Sequence, residues 1–349
     1  MREPPPRVFP TAALYNCGIL AMLVLLLLSS STTPTLADEA ATVEAAGDLK
    51  SSNWDPHHDD KHGINSFDEN GMLKRGLQRR LLALNSMLHS QKPPVLPLVQ
   101  SGDVYQFGVF TGGGMKGWVD GLRNESISFR HMWGFDSFEG MPPSDVKKHS
   151  PHDAAIQSKD SLGWQQGSLN AADQLRPILG MDAYNVTKLT QHIVKAVGYG
   201  AENTTLWPGF FSKSLPKLMH AVHAEERRAD KGVVNHANGN KPALPLPKPA
   251  VIVDIDCDIY EGTIQAFEWL IAHPLLASGT LLYYDDWRQF NEGEVKAHHE
   301  LTARYKLKWR RLVTGSRWNH YLYQLTEAPS AEAVQEAKAR TTAATTAPA

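Results

Sequence analysis

The run AVIVDIDCDIY at residues 250–260 constrains the fold of this chain more than any other segment. Its first half is apolar and rich in β-branched side chains, as in a strand of a parallel sheet that is buried on both faces. Its second half carries three carboxylates at alternate positions, Asp254, Asp256 and Asp258. Ligand sites of α/β proteins lie outside the carboxyl ends of such strands. The run therefore predicts an α/β protein with a site at the carboxyl edge of its sheet.

A second predicted strand also ends in acidic residues. The run GTLLYY at residues 279–284 stops at Asp285 and Asp286. Two neighbouring strands would bring Asp256, Asp285 and Asp286 to one edge, and oxygen-only ligands suit Mg²⁺ or Mn²⁺ better than zinc. Without a cation these carboxylates would repel one another. The alternative is a set of capping and surface aspartates with no metal.

A glycine-rich turn follows another predicted strand, earlier in the chain. The strand VYQF at residues 104–107 runs into GVFTGGG at residues 108–114, and we predict that a helix follows. Strand, glycine turn and helix form a unit with which many proteins bind nucleotides. Gly108, Gly112 and Gly113 would let a cofactor approach the backbone, and the amides at the helix start would hold an anionic group. A tight connection without a ligand is the alternative.

The next predicted strand, HMWGF at residues 131–135, ends at Asp136 and Ser137. An acidic residue at this place in a nucleotide-binding unit accepts hydrogen bonds from ribose hydroxyls. The same aspartate would also suit the N-cap of a helix. We therefore predict that Asp136, with Ser137 beside it, contacts a cofactor.

The charge balance and the cysteine count narrow the class of protein. The chain has 35 basic and 37 acidic side chains, which excludes a polybasic nucleic-acid binder as the default. Of its two cysteines, Cys17 lies in an N-terminal apolar run, and Cys257 is alone in the remainder of the chain. No intramolecular disulfide framework can therefore form in that remainder.

The N-terminal residues have the pattern of a targeting segment. Arg2 and Arg7 precede an apolar run at residues 12–28, and a small-residue cleavage site ends at Ala37. A cleaved signal peptide and an uncleaved signal-anchor are both open, so we expect a lumenal or secreted protein, or a single-pass type II membrane protein whose only membrane contact is this segment. Three N-glycosylation sequons agree with a lumenal protein, and they begin at Asn124, Asn185 and Asn203.

The remaining sequence divides by composition and periodicity. Two closing strands near residues 307–314 and 318–325 form a hairpin, which places one antiparallel strand in an otherwise parallel sheet. The predicted divisions are a targeting segment at 1–37, a polar stem at 38–98 with one helix at 70–91, an α/β domain at 99–326 with an exposed insertion at about 229–248, and a disordered tail at 327–349.

Five motifs in a fixed order carry a resemblance to a known family. They are QFGVFTGG at 106–113, WGFDSFEGMP at 133–142, PGFFSKSLP at 208–216, DCDIY at 256–260 and the pair Asp285 and Asp286. Over roughly residues 100–326 the chain resembles the macrocin O-methyltransferase family. The resemblance implies the Rossmann-like, seven-stranded class I methyltransferase fold. It also implies an S-adenosylmethionine-dependent enzyme in which Mg²⁺ activates the hydroxyl of a sugar or glycan acceptor.

The resemblance also implies roles for individual residues. Gly108 and Gly112 would shape the cofactor loop, Asp136 would bind the ribose, and Asp256, Asp285 and Asp286 would hold the metal. Gln106 stands where the family has an acidic residue that could meet the cofactor's amino group. The candidates for the general base are, in order, Asp256, Asp258, His298 and His299.

Two other functions remain open from the sequence. A Golgi-type glycosyltransferase would use Asp254 and Asp256, or Asp256 and Asp258, as an Asp-x-Asp motif for Mn²⁺ and a sugar nucleotide. That function leaves the glycine turn, Asp136 and the Asp285 and Asp286 pair unexplained. The second alternative is a lumenal binding module that has lost turnover. Under each of the three functions, the methyltransferase included, the protein could form oligomers.

Overall fold

A computed structural model describes residues 66–90, 99, 101–142, 166–230, 244–287, 293–314 and 321–346. All of them belong to one of the two units into which the chain divides, Asp59–Ala349. The predicted targeting segment, residues 38–65 of the stem and residues 231–243 of the insertion lie outside the described residues. Among those that are described, no helix has the length and apolar character needed to span a membrane.

Seven strands in the described residues form one sheet, with the order β3-β2-β1-β4-β5-β7-β6. Pairing from β3 through β5 is parallel, whereas β7 runs antiparallel to both of its neighbours. This arrangement confirms the predicted α/β fold with one antiparallel strand. The strands are β1 (Asp103–Phe107), β2 (Met132–Asp136), β3 (Thr204–Pro208), β4 (Ala250–Ile255), β5 (Leu281–Tyr284), β6 (Trp309–Thr314) and β7 (Tyr321–Leu325).

Helices cover both faces of the sheet. Apolar side chains of α1 to α4 pack in one buried cluster, and those of α5 to α8 pack in a second, because alternate strand residues point to opposite faces. The helices are α1 (Lys74–Asn85), α2 (Gly113–Asn124), α3 (Ala171–Leu179), α4 (Val186–Val197), α5 (Phe211–Asp230), α6 (Tyr260–Ala272), α7 (Gly293–Tyr305) and α8 (Ala331–Thr346). A π-helical turn (Ser86–Ser90) extends α1, and a 3₁₀ turn (Gly180–Tyr184) follows α3.

The central strand β4 shows why the sheet forms where the sequence predicts it. All six of its residues are buried, and four of them are aliphatic β-branched or alanine side chains before Asp254. Full burial of one valine or isoleucine side chain stabilises the fold by roughly 1.5–3 kcal/mol. This gain fixes β4 in the middle of the sheet, so that the residues after Ile255 emerge at its carboxyl edge.

The prediction of a disordered tail after residue 327 is wrong for residues 331–346. Helix α8 covers them, and its Ala333 and Ala337 are buried against the second cluster. Arg340 Nε of α8 also lies 2.7 Å from Glu268 Oε1 of α6. Alanine has the highest helix propensity, and two alanines at i and i+4 let α8 approach its neighbours closely without large apolar side chains.

Candidate active site

The structure brings together the three carboxylates that the sequence predicts as metal ligands. Asp256, Asp285 and Asp286 each offer one oxygen, and these oxygens all lie within 4.8 Å of one another. The parallel pairing of β4 with β5 causes this, because Ile255 pairs with Tyr284 and the next residues of both strands leave the sheet side by side. The Asp285 amide donates to the Ile255 carbonyl at 3.1 Å, which fixes the two strand ends together.

Two arginines of α1 contact this cluster. Arg80 is completely buried, and its Nη1 and Nη2 lie 2.7 Å from Asp285 Oδ1 and 2.7 Å from Asp256 Oδ2. Arg79 Nη1 lies 2.5 Å from Asp285 Oδ2. Neither arginine is among the site residues predicted from the sequence. Both arginines lie on the same face of α1 as Gly76 and Ala83, which are also buried. This spacing of small residues around the arginines is the sequence signal that could have indicated their burial.

Asp254 does not reach the sheet edge but anchors Arg80 inside the protein. Its Oδ2 accepts from Arg80 Nε at 2.9 Å and from Trp118 Nε1 at 2.7 Å, and its Oδ1 accepts from Arg80 Nη2 at 3.0 Å. Both oxygens are therefore occupied by neutralising or polar donors. This arrangement disfavours Asp254 and Asp256 as the Asp-x-Asp metal motif of a glycosyltransferase.

The charges in the cluster are unevenly compensated. Burial raises the pKa of the Asp256 carboxyl well above its usual range, and the negative charge of Asp285 raises it further. Burial alone would also raise the pKa of Asp285, but the guanidinium groups of Arg80 and Arg79 outweigh this effect and hold its pKa well below the usual range. Asp286 adds a further negative charge that acts on Asp256. With Asp254 and Glu294 counted, five carboxyl groups interact here with three arginines, Arg75, Arg79 and Arg80, and this excess favours binding of a cation.

The donor chemistry of the cluster fits a hard divalent cation. Its three ligand residues offer only oxygen atoms, which is the preference of Mg²⁺ and Mn²⁺. Asp285 Oδ1 already accepts from Arg80 Nη1 and from the Tyr283 hydroxyl at 2.8 Å, so Asp285 Oδ2 is the oxygen better placed to bind a cation.

Glu294 of α7, which is not among the site residues predicted from the sequence, connects the two loops that carry the cluster. It is 1% exposed, its Oε1 accepts from the Asp258 amide at 3.3 Å, and its Oε2 accepts from the Asp286 amide at 3.3 Å. Burial raises its pKa well above the usual range, and the charge of Asp286 adds to this effect. Glu294 thereby holds the segments after β4 and β5 at a fixed separation.

The remaining candidates for the general base lie in different surroundings. Asp258 is half-buried in the loop after β4, where its φ of 63° and the bond from its amide to Glu294 fix the backbone. His298 is buried among aromatic rings, its Nδ1 lies 3.1 Å from the Tyr284 hydroxyl, and burial, reinforced by His299, lowers its pKa to about 3. Such a histidine is neutral and weakly basic at pH 7. His299 is exposed.

The glycines of the predicted cofactor turn allow close approach to protein backbone. A Cβ on Gly108, which has a φ of 89°, would lie 1.8 Å from the Asp256 carbonyl oxygen. A Cβ on Gly113 would lie 2.3 Å from the Leu73 carbonyl oxygen, just before α1 begins. Gly112 is the N-cap of α2 and also has a φ of 89°. The turn therefore packs directly against the end of β4 and the start of α1.

Asp136 holds this turn through its carboxylate. Its Oδ2 accepts from the amides of Val109 and Phe110, both at 2.8 Å, and its Oδ1 accepts from the amide of Phe138 at 2.7 Å. A carboxylate has about four acceptor positions, so one remains for a ribose hydroxyl. Burial raises the pKa of Asp136, and the three amides oppose the rise. No helix begins within residues 137–142, so the N-cap alternative is wrong.

Ser137 and Gln106 complete the surroundings of the turn. The Ser137 hydroxyl donates to the Gly140 carbonyl at 2.9 Å, so this side chain stabilises its own loop. Gln106 is fully buried and its Nε2 donates to the Gly108 carbonyl at 2.8 Å. In the described part of the chain no donor reaches Gln106 Oε1. This buried acceptor fits the ammonium group of an amino-acid cofactor such as S-adenosylmethionine.

One comparison with known proteins covers two of the five motifs. Residues 78–171, from within α1 to the start of α3, match the family described as Macrocin-O-methyltransferase (TylF). No curated protein matches the chain. The solved structure of the O-methyltransferase NovP is 17% identical over 73% of this chain and 81% of that chain, with a TM-score of 0.40. That of CalS11, a calicheamicin methyltransferase, is 17% identical over 84% of this chain and 94% of that chain, with a TM-score of 0.43.

The family match confirms the resemblance that the sequence motifs predict. The matched segment contains β1, the glycine turn, β2 and Asp136, as well as the two arginines of α1. Residues 78–171 of this chain are therefore similar to the macrocin O-methyltransferase family, and this match supports the prediction of an O-methyltransferase.

Proposed function

We propose that the protein transfers the methyl group of S-adenosylmethionine to a hydroxyl of a sugar, with Mg²⁺ held by Asp256, Asp285 and Asp286. The observation that carries this proposal is the contact between Gly108 and the Asp256 carbonyl, where a Cβ would lie 1.8 Å from the oxygen. It joins the predicted cofactor turn to the carboxylate cluster. Methyl donor and acceptor would therefore meet at one edge of the sheet, as an in-line transfer requires.

The residues around the turn would bind the methyl donor. Gln106 Oε1 is a buried acceptor for the ammonium group of S-adenosylmethionine. Asp136 fixes the amides of Val109 and Phe110 and keeps one acceptor position for the ribose. Replacement of the family's acidic residue by Gln106 removes a charge but preserves an acceptor, so it is compatible with binding.

The carboxylate cluster would hold the Mg²⁺ ion that contacts the acceptor hydroxyl. When bound at Asp256, Asp285 and Asp286, Mg²⁺ would lower the pKa of the acceptor hydroxyl. During transfer the bond from sulfur to the methyl carbon breaks, the bond from that carbon to the acceptor oxygen forms, and the hydroxyl proton passes to a base. Asp258 is the candidate that we prefer for this base, because Asp256 is a cation ligand in the proposal and the pKa of His298 is about 3.

We also propose a lumenal location and a glycan as the natural acceptor. The support is the apolar run at residues 12–28 together with two sequons, at Asn124 and Asn185, whose asparagines are exposed. N-glycosidase treatment of the protein from its native cells tests the location. A decrease in apparent mass supports it, and an unchanged mass together with fractionation into the cytosol contradicts it.

The activity is tested by following S-adenosylhomocysteine formation by the full-length protein. The acceptors are a panel of nucleotide sugars and simple glycosides, each with Mg²⁺ and with a chelator. We expect turnover with at least one sugar, loss of turnover in chelator, and loss in Asp285→Asn. Turnover that persists in chelator contradicts the role of Mg²⁺, and sugar transfer from a nucleotide sugar in place of methyl transfer favours the glycosyltransferase.

A further inference from the structure

We propose that Arg79 and Arg80 form an internal counter-cation of the carboxylate cluster, and that Arg79 competes with the divalent cation for Asp285. This inference rests on the cation site of the proposed function and adds a part of the chain that controls its affinity. It makes helix α1 a component of the active centre rather than part of the stem that precedes the domain.

Of the two arginines, Arg80 is the one that we expect to keep its position when a cation binds. Its side chain has no exposed surface, and it contacts Asp254 through two nitrogens. Its Nη2 also contacts Asp256 and its Nη1 contacts Asp285. Withdrawal of Arg80 would leave buried carboxylates without compensation, which a folded protein does not tolerate. Arg80 therefore remains in place whether or not a cation is bound.

Arg79 contacts the cluster at Asp285. Its Nη1 lies 2.5 Å from Asp285 Oδ2 and 3.4 Å from the Asp285 carbonyl oxygen, and its side chain is 8% exposed. Asp285 accepts this hydrogen bond from Arg79, and the negative charge of Asp286 also acts on the same guanidinium group. Arg79 is accordingly the guanidinium group that would meet a cation at Asp285 Oδ2.

The competition follows from the geometry of Asp285. Its Oδ1 accepts from Arg80 and from the Tyr283 hydroxyl, which fills both lone pairs of that oxygen. A cation must then bind at Oδ2, the oxygen that Arg79 contacts. Two positive charges on one oxygen repel each other strongly in a buried site. Binding of the cation and docking of Arg79 therefore weaken each other, and this effect is reciprocal.

The test is Mn²⁺ binding to the full-length protein, measured by electron paramagnetic resonance of the free ion. The variants are Arg79→Gln, which removes the competing charge, and Lys74→Gln, which removes an exposed charge from the same helix. We expect Arg79→Gln to bind Mn²⁺ about tenfold more tightly than the wild type, and Lys74→Gln to bind it equally well. In chelator, Arg79→Gln should melt below the wild type, and saturating Mn²⁺ should reduce the difference.

A second measurement on the wild type covers the case in which Arg79→Gln does not fold. Addition of Mn²⁺ should increase hydrogen exchange of the amides of α1, because the contact between Arg79 and Asp285 is weakened. Unchanged or slower exchange in α1, or equal or weaker Mn²⁺ binding by a folded Arg79→Gln, overturns the inference but leaves the cation site. Absence of Mn²⁺ binding from all three proteins overturns both, whereas S-adenosylmethionine binding still tests the methyltransferase separately.

Discussion

Arg80 and Asp254 form a two-point ion pair inside the protein, with Arg80 Nε 2.9 Å from Asp254 Oδ2 and Arg80 Nη2 3.0 Å from Asp254 Oδ1. Neither side chain is exposed. The pair connects the first helix of the domain to the strand that delivers Asp256. It also explains how several carboxylates can lie together at a buried sheet edge, since Arg80 bonds to Asp256 and Asp285 as well.

Arg80→Met should therefore destabilise the protein strongly. Removal of one partner from a buried ion pair costs about 3–5 kcal/mol, because the other charge is left uncompensated. The measurement is urea unfolding of the full-length protein in chelator. Lys74→Met, an exposed position on the same helix, is the matched control and should change the free energy of unfolding by less than about 0.5 kcal/mol. Similar stabilities for the two variants would contradict the proposed importance of the pair.

The contact between the glycine turn and the end of β4 predicts that Gly108→Ala destabilises the protein far more than the same substitution at another glycine with a positive φ. Its Cβ would lie 1.8 Å from the Asp256 carbonyl oxygen, whereas a Cβ on Gly167, which also has a positive φ, meets nothing within 4 Å. We expect a loss of about 3–5 kcal/mol for Gly108→Ala and about 1 kcal/mol for Gly167→Ala. Thermal unfolding of both variants measures the difference, and equal losses would refute the close contact.

Helix α8 makes a matched pair of substitutions possible at the C-terminus. Ala337 is buried against the second cluster and Ala339 is exposed two residues later. Ala337→Asp should cost about 2–4 kcal/mol, because it forces a charge into an apolar contact, and Ala339→Asp should cost less than about 0.5 kcal/mol. If both variants unfold at the wild-type urea concentration, α8 does not pack on the domain in solution.

The low pKa of the buried His298 predicts that the free energy of unfolding depends on pH. Its pKa in the folded protein is about 3, below the ordinary histidine value, so the folded state binds fewer protons than the unfolded state between these values. Its contribution is therefore fully present above about pH 6.5 and is lost as the pH falls. Between pH 7 and pH 5, His298→Gln should lose about 2 kcal/mol less stability than the wild type.

Urea unfolding at both pH values measures this difference. His299→Gln is the comparison variant: His299 is exposed on the same helix and only reinforces the effect of burial on the pKa of His298, so its removal should decrease the pH dependence less than His298→Gln does. An equal loss of stability in the wild type and in His298→Gln would show that His298 is not held neutral by burial.

The sheet and its acidic edge could be predicted from the sequence because the signals are local. The run at residues 250–260 combines a buried strand with acids just after it, and parallel pairing alone then brings Asp256 to Asp285 and Asp286. The strand and glycine turn at residues 104–114 are likewise a short continuous pattern. Each of these segments is a short continuous pattern, so it can be identified without knowing how distant parts of the chain pack together.

The residues that surround the cluster could not be predicted, because they approach it from distant elements. In the sequence, Arg80 is one of several basic residues of an amphipathic helix. It is buried only because α1 packs on α2. In the sequence, Glu294 is an acidic residue in the first turn of a helix. The helix dipole favours such a residue in any helix, so its position does not indicate a functional site. The tail was predicted to be disordered because its composition lacks large apolar residues, whereas α8 packs through alanines.

Calorimetric titration of S-adenosylmethionine into the full-length protein, with Mg²⁺ and with chelator, tests whether the chain binds the methyl donor of the proposed function. Asp136→Ala is the variant, and Asp120→Ala, which removes a partly exposed partner of Lys116, is the control. We expect micromolar binding by the wild type and by Asp120→Ala, and no binding by Asp136→Ala. Absence of binding by the wild type under both conditions, with a nucleotide sugar binding in Mn²⁺ instead, would contradict the proposed function.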